Sequence, residues 1–358
     1  MANKGTEKHL FLGGNTPVGF FSYFSYLAPL SGVKHIYCIK GGPGTGKSSF
    51  MKRIGAEAVK RGYDVEFMHC SSDPDSLDGV AIKPAGIAFV DGTSPHIVDP
   101  ETPGAEDEIL NFGDCWDKMG LEEHKEDIQR VNKRISGYFS RAYVYLAAAK
   151  VIWDDMQGIY RQAVSPNVHA SFLESITFQE FAELPIAEVP GRERKLFASA
   201  ITPKGLVCHL DTIVRGYKTY VLKGYVGDAV EQVAETAMRR GFDVEKYYCP
   251  FDPAGTCEHV LVPKLNLAVV TSNQYHPYEQ DEVVDFGGFV SKYTLERYRD
   301  ALEFDQQTYD LLVDRAIYTI AKAKEQHDEL EKFYIPNMDF ARIDALYEKT
   351  LKEVLAML

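Results

Sequence analysis

The chain is short of cysteine. Its six cysteines, Cys38, Cys70, Cys115, Cys208, Cys249 and Cys257, are scattered through 358 residues with no Cys-x-x-Cys pair, so neither a disulfide framework nor a cysteine-zinc site is expected. That usage fits a reducing cytoplasm, the expected localisation. No apolar run reaches the roughly 18 residues of a membrane span, and the first residues, MANKGTEKHLFLGG, lack a signal peptide's apolar stretch. Neither membrane association nor secretory export is expected. Basic residues are also in deficit: 39 Lys+Arg face 52 Asp+Glu, a formal net charge of -13. General nucleic-acid binding, which needs a basic face, is therefore not expected. What is present, 45% hydrophobic and 25% charged residues, is ordinary for a globular chain, and the length points to two domains or one large one.

The second half repeats the first. HLFLGGNTPVGFF from His9 matches KLFASAITPKGLV from Lys195, an offset of 186. KRGYDVEFMHCSSDP from Lys60 lies over RRGFDVEKYYCPFDP from Arg239 at 179. DEILNFGD from Asp107 lies over DEVVDFGG from Asp281, and RAYVYLAAAK from Arg141 over RAIYTIAKAK from Arg315, both at 174. A duplicated chain follows, with halves at 1-190 and 191-358 and a pseudo-dimer fixed within one polypeptide. Each half reads as an α/β part followed by long helices. The first has strands near 9-12, 35-40, 65-69 and 86-90, whose continuous apolarity predicts a buried parallel sheet. From Leu121 to Ala163, Ile128, Ile135, Ala142, Ala149, Met156 and Ala163 recur every seven residues, as do Leu302, Tyr309, Ala316, Ala323 and Leu330 in the second half. This spacing is either a seam between two helical arms or a stripe packing each arm on its own sheet.

After the strand ending at Lys40 comes GGPGTGKSS and then a helix. Gly41, Gly46, Lys47 and Ser48 satisfy G-x-x-x-x-G-K-[ST] in the strand-loop-helix context that the motif requires. Gly41, Gly42, Pro43, Gly44, Thr45, Gly46, Lys47, Ser48 and Ser49 are the expected cradle for the phosphates of a nucleoside triphosphate, with ATP the preferred ligand and Mg2+ the accompanying ion. Lys47 is expected to reach the β- and γ-phosphates and Ser48 to ligate Mg2+. Asp91, after the apolar strand Ile87-Ala88-Phe89-Val90, is the second expected metal ligand. No Glu follows it, unlike in many P-loop motor ATPases. Asp73 or His96 could orient a water or a substrate hydroxyl, from loops that also hold Asp75, Asp78, Thr93, Ser94 and Asp99. Cys249, Asp252 and His276 recur at equivalent places in the other half, which argues equally for structural roles there. Cys70 is expected to be inert.

In the second half the corresponding loop reads Gly224-Tyr225-Val226-Gly227-Asp228, without Lys or Ser, and Thr271 stands where Asp91 should. Asp228 is expected to cap the following helix in place of a phosphate. GGNTPVGFFSYF, IKGGPGTGKSSFMKRIG, HCSSDPDSLDGV, VDGTSPHIVDP and LFASAITPKG together resemble a family of bacterial, mainly Firmicute, ATPase-like proteins built from two tandem P-loop-type halves. Such relatives often carry an intact loop in both halves; this chain departs from that. The resemblance implies nucleotide binding and ATP hydrolysis. The expected function is a Mg-dependent ATPase or nucleotide-driven switch with one active half. The alternatives are a small-molecule or nucleotide kinase, with Arg130, Arg134 or Arg141 closing over phosphates, and a scaffold that binds nucleotide without turnover. An acidic protein partner could meet Arg192, Arg194 and Lys195, though these read better as a solvated linker.

Overall fold

The computed structural model describes residues 4-83, 85-93, 98-100, 102-279 and 282-358. The first half contributes β1 (Glu7–Phe11), a hairpin of β2 (Gly13–Thr16) and β3 (Gly19–Ser22), β4 (His35–Lys40), α1 (Lys47–Lys60), β5 (Val65–His69), β6 (Leu77–Ile82), β7 (Ile87–Asp91) and β8 (Asp107–Asn111). Helices α2 (Lys118–Glu123), α3 (Lys125–Ala163) and α4 (Pro166–Phe181) follow. The second half runs β9 (Glu193–Leu196), hairpin β10 (Ser199–Thr202) and β11 (Gly205–Cys208), α5 (Leu210–Ile213), β12 (Lys218–Lys223), α6 (Ala229–Arg239), β13 (Val244–Cys249), β14 (Asp252–Val262), β15 (Leu267–Thr271) and β16 (Val283–Asp285). It closes with α7 (Lys292–Arg297), α8 (Arg299–Tyr334) and α9 (Phe340–Met357).

Two six-stranded sheets result, ordered β1-β5-β6-β7-β4-β8 and β9-β13-β14-β15-β12-β16. Strand for strand the order is the same. The sheets are mixed and not parallel throughout, because β6 and β14 run antiparallel to both of their neighbours. The expectation of a parallel sheet rested on strands apolar on both faces. Here the second face is covered differently: Leu10, Cys38, Met68, Val90, Leu196, Val221, Tyr247 and Val270 of the two sheets share one buried cluster, while helices cover the outer faces. Sheet against sheet buries both faces without requiring parallel strands. β6 escapes sequence reading because Asp78-Gly79 resembles a turn. Gly79 is instead a packing glycine: a Cβ there would lie 3.0 Å from Met68 Sδ and 3.1 Å from Phe89 O.

The halves meet about a local two-fold. Phe11 and Phe197 exchange N–H to C=O hydrogen bonds, both 3.0 Å. Nearby, Arg194 is buried, which corrects its placement in a solvated linker. Its guanidinium lies 2.8 Å from Glu66 and 3.3 Å from Glu245, and donates to Tyr26 O and Leu27 O. Lys8, the counterpart of Arg194, pairs with Glu245 and stands 3.6 Å from Glu66. Arg192 does lie at the surface, paired with Asp243 at 2.7 Å.

α3 and α8 pack on each other as antiparallel arms. Ser291 N–H donates to Ala163 O where α3 ends, and Asp117 N–H to Asn337 O where α8 ends. Ala142, Leu146, Ala149 and Met156 of α3 are buried in one cluster with Tyr309, Val313, Ala316 and Ile320 of α8. The heptad spacing is thus used between the arms, with Leu146 added. Asp305 of α8 is raised in pKa by burial and then by its hydrogen bond to Asp155 of α3. A raised carboxylate favours the folded state at low pH and opposes it once ionised. Asp305→Asn is therefore expected to raise the unfolding free energy measured by urea at pH 7 by on the order of 1 kcal/mol, with a smaller gain at pH 4. A gain that grows on acidification would contradict this.

The final helices cross over. α4 packs in the second half's core through Phe172, Ile176 and Phe181, next to Val230 and Val233 of α6. α9 packs in the first half's core through Ile343, Tyr347 and Val354, next to Phe50 and Ile54 of α1. The boundary at 190 marks the sequence repeat, and the packing exchanges helices across it. Among the described residues no helix is long and apolar enough to cross a membrane.

Candidate functional site: the loop between β4 and α1

The loop after β4 opens at the carboxyl edge of the first sheet. Gly44 (φ 66°) and Gly46 (φ 91°) make the turn in the left-handed region, where a Cβ is costly. Thr45 Oγ1 donates to Gly42 O at 2.9 Å and ties the loop together. Gly46 occupies the N-cap position of α1 with no side-chain hydrogen bond into the helix. The first-turn N–H groups and the positive helix end are therefore not served by a cap.

Lys47 Nζ donates to Gly41 O at 3.0 Å and Gly42 O at 2.7 Å, and lies 3.6 Å from Asp91 Oδ2. The structure thus brings Lys47 and Asp91 together. It does so because β7 pairs directly with β4, with Ile39 opposite Asp91. Asp91 also serves the turn reading: its Oδ1 accepts from Thr93 N at 2.9 Å and from Thr93 Oγ1. Ser48 Oγ accepts from Leu77 N at 3.0 Å, at the start of β6. Ser49 is exposed on α1.

Asp73 folds its own loop, accepting from Ser76 Oγ at 2.9 Å. Asp252 does the same in the second half with Thr256 Oγ1 at 2.6 Å. The matching turns support a structural role for Asp73, although Lys324 of α8 approaches it to 3.5 Å. His96 and Ser94 lie outside the described residues. Asp99 pairs with Lys40 at 2.7 Å. Burial, and then Asp78, push the Cys70 thiol well above its ordinary value, so it stays unreactive. Arg130, Arg134 and Arg141 are exposed on α3, with Arg130 paired to Asp127 at 2.9 Å. Nothing places them around the loop.

Sequence reasoning did not reach the residues that cover this site, which come from the other half. A Cβ on Gly42 would lie 2.6 Å from the Tyr334 ring, and one on Gly44 3.0 Å from Ile335 and 3.2 Å from Glu331. Upstream on the same helix, His327 and Lys324 continue the line towards Asp73. Only the duplication could have signalled them, because the residues contribute no motif.

The second loop differs in substance. Gly224 (φ 84°) and Gly227 (φ 57°) preserve its turns, and Thr271 does occupy the place of Asp91, at the end of β15. Asp228 holds the N-cap position of α6 but makes no capping hydrogen bond; it accepts from Gln232 Nε2 at 2.7 Å instead. The expected cap is thus corrected: Gln232, one turn into the helix, takes the carboxylate. A cavity of about 1040 Å³ opens here, lined by Gly224–Asp228 and by Gln157 and Tyr160 of α3. Each arm therefore ends over the other half's loop. No family model matches the chain, and neither a curated protein nor a solved structure matches it.

Proposed function

We propose that the chain is a Mg-dependent ATP-binding protein that hydrolyses ATP at a single phosphate loop, as an ATPase or nucleotide-driven switch, its second half being a silent partner. The observation that carries this is the approach of Lys47 to Asp91 beside a glycine turn at an uncapped helix start, with Ser48 the next residue of that helix. Those residues fit the group. The α1 N–H groups and Lys47 supply donors to phosphate oxygens, and Ser48 and Asp91 are the residues that would hold the ion. When bound, Mg2+ offsets charge on the β- and γ-phosphates. The second loop offers neither lysine nor hydroxyl at the matching places and puts Asp228 at its helix start, which opposes a polyphosphate.

Calorimetric titration with MgATP is expected to saturate at one equivalent per chain, and phosphate release with no acceptor added to exceed that of a Lys47→Ala blank. Two equivalents would contradict the silent half. No binding would remove the reading, and binding without release would leave only the nucleotide-binding part of it.

A further inference from the structure

Because the arms are exchanged, the duplication contains its own control. At the offset of 174, Lys150, Trp153, Asp154, Gln157 and Tyr160 of α3 lie over Lys324, His327, Asp328, Glu331 and Tyr334 of α8. The first set ends over the silent loop and the second over Gly41–Ser48. Three positions are shared. Lys150 pairs with Asp154 and Lys324 with Asp328 within their own helices, and a Tyr closes both sets. A group present over a loop with no phosphate apparatus serves the arm, which discounts Lys324 despite its approach to Asp73.

Two positions differ: His327 stands where the other arm has Trp153, and Glu331 where it has Gln157. These differences fall at the intact loop. Glu331 is seated on Gly44, its Cβ 3.2 Å and its Cγ 3.3 Å from where a Cβ on that glycine would stand. His327 Nδ1, buried and without a hydrogen bond, lies 3.5 Å from Glu331 Oε1. Meanwhile the first half carries no carboxylate immediately behind Asp91, where Gly92 follows.

We propose that Glu331 is the catalytic carboxylate of the first half's loop, delivered by the second half's arm, and that it takes the proton of the attacking water. This rests on the assignment of Gly41–Ser48 to ATP. In the step, the water oxygen bonds to the γ-phosphorus while the bond to the β–γ bridging oxygen breaks, and its electron pair leaves with ADP. One water proton passes to the Glu331 carboxylate and then to solvent. A positioned general base of this kind contributes about 10²- to 10⁴-fold to rate.

The test compares wild type, Glu331→Gln and Gln157→Glu for MgATP affinity, phosphate release and melting temperature. Glu331→Gln gives this arm the residue that the other already has. It is expected to bind MgATP within about threefold of wild type and to lose about 100-fold or more in release. Gln157→Glu is expected to change neither. If Glu331→Gln does not fold, Glu331→Asp, which retracts the carboxylate by one methylene, is expected to lose at least about tenfold in release. Release by the folded variant within threefold of wild type overturns the proposal. So does a wild type that binds MgATP and releases no phosphate. A wild type that binds no nucleotide overturns the loop assignment itself, which keeps the two failures distinct.

Discussion

Arg194→Ala is expected to lower folding stability by about 3–5 kcal/mol, because it leaves buried carboxylates short of a partner. Arg194 is 1% exposed and Glu66 0%. Removing the guanidinium also orphans the carbonyls of Tyr26 and Leu27. Lys8 remains beside both carboxylates and Lys83 stands 3.6 Å from Glu66, but the charge-assisted hydrogen bond from Arg194 to Glu66 is lost. Burial pushes the Glu245 pKa up, but Lys8 and Arg194 outweigh it and hold it at about 2, below its ordinary 4.5; Glu66 is lowered in the same way. A depressed carboxylate stabilises the fold above its unfolded pKa and loses that contribution as pH falls through the folded one. The wild type should therefore weaken between about pH 4.5 and 2, and the variant should show less of that acid-dependent loss. Urea unfolding at several pH values measures both. A midpoint at pH 7 that matches wild type would refute the stabilising role of Arg194.

Lys47→Ala is expected to weaken MgATP binding about thirtyfold to 140-fold, the worth of about 2–3 kcal/mol for charge-assisted hydrogen bonds to phosphate. The side chain is only 11% exposed and already bridges loop and strand through Gly41 O, Gly42 O and Asp91. Its loss removes a cation from the loop and leaves Asp91 with Thr93 alone. Folding should suffer far less than binding, since both Asp91 hydrogen bonds from Thr93 survive. Calorimetric titration of the folded variant decides it, and affinity within threefold of wild type would dismiss Lys47 as a phosphate ligand.

Much of this architecture is legible in the sequence, for identifiable reasons. Gly44, Gly46, Lys47 and Ser48 form a local motif whose geometry follows from backbone rules, and the repeat supplies the second half. Asp91 could be read because an apolar strand points to it. Distance in sequence hides the rest. Arg194 looks like a linker cation because its partner Glu66 is 128 residues away. Periodicity shows that Ala142 and Ala316 are covered, not that the arms are antiparallel. For the same reason Glu331 and Tyr334 read as the polar and aromatic end of a helix, when the loop they cover lies almost the whole chain away.

The exchange of arms changes what counts as one site when the chain accumulates substitutions. One unit pairs the first loop with the second arm; the other pairs the second loop with the first arm. The unit whose loop at 224–231 lacks Lys and Ser is also the one with Gln at 157, although these positions sit in different halves. On the proposed reading of the first loop, a substitution in the second half's arm is felt at the first half's site, so the two ends of the chain form one unit.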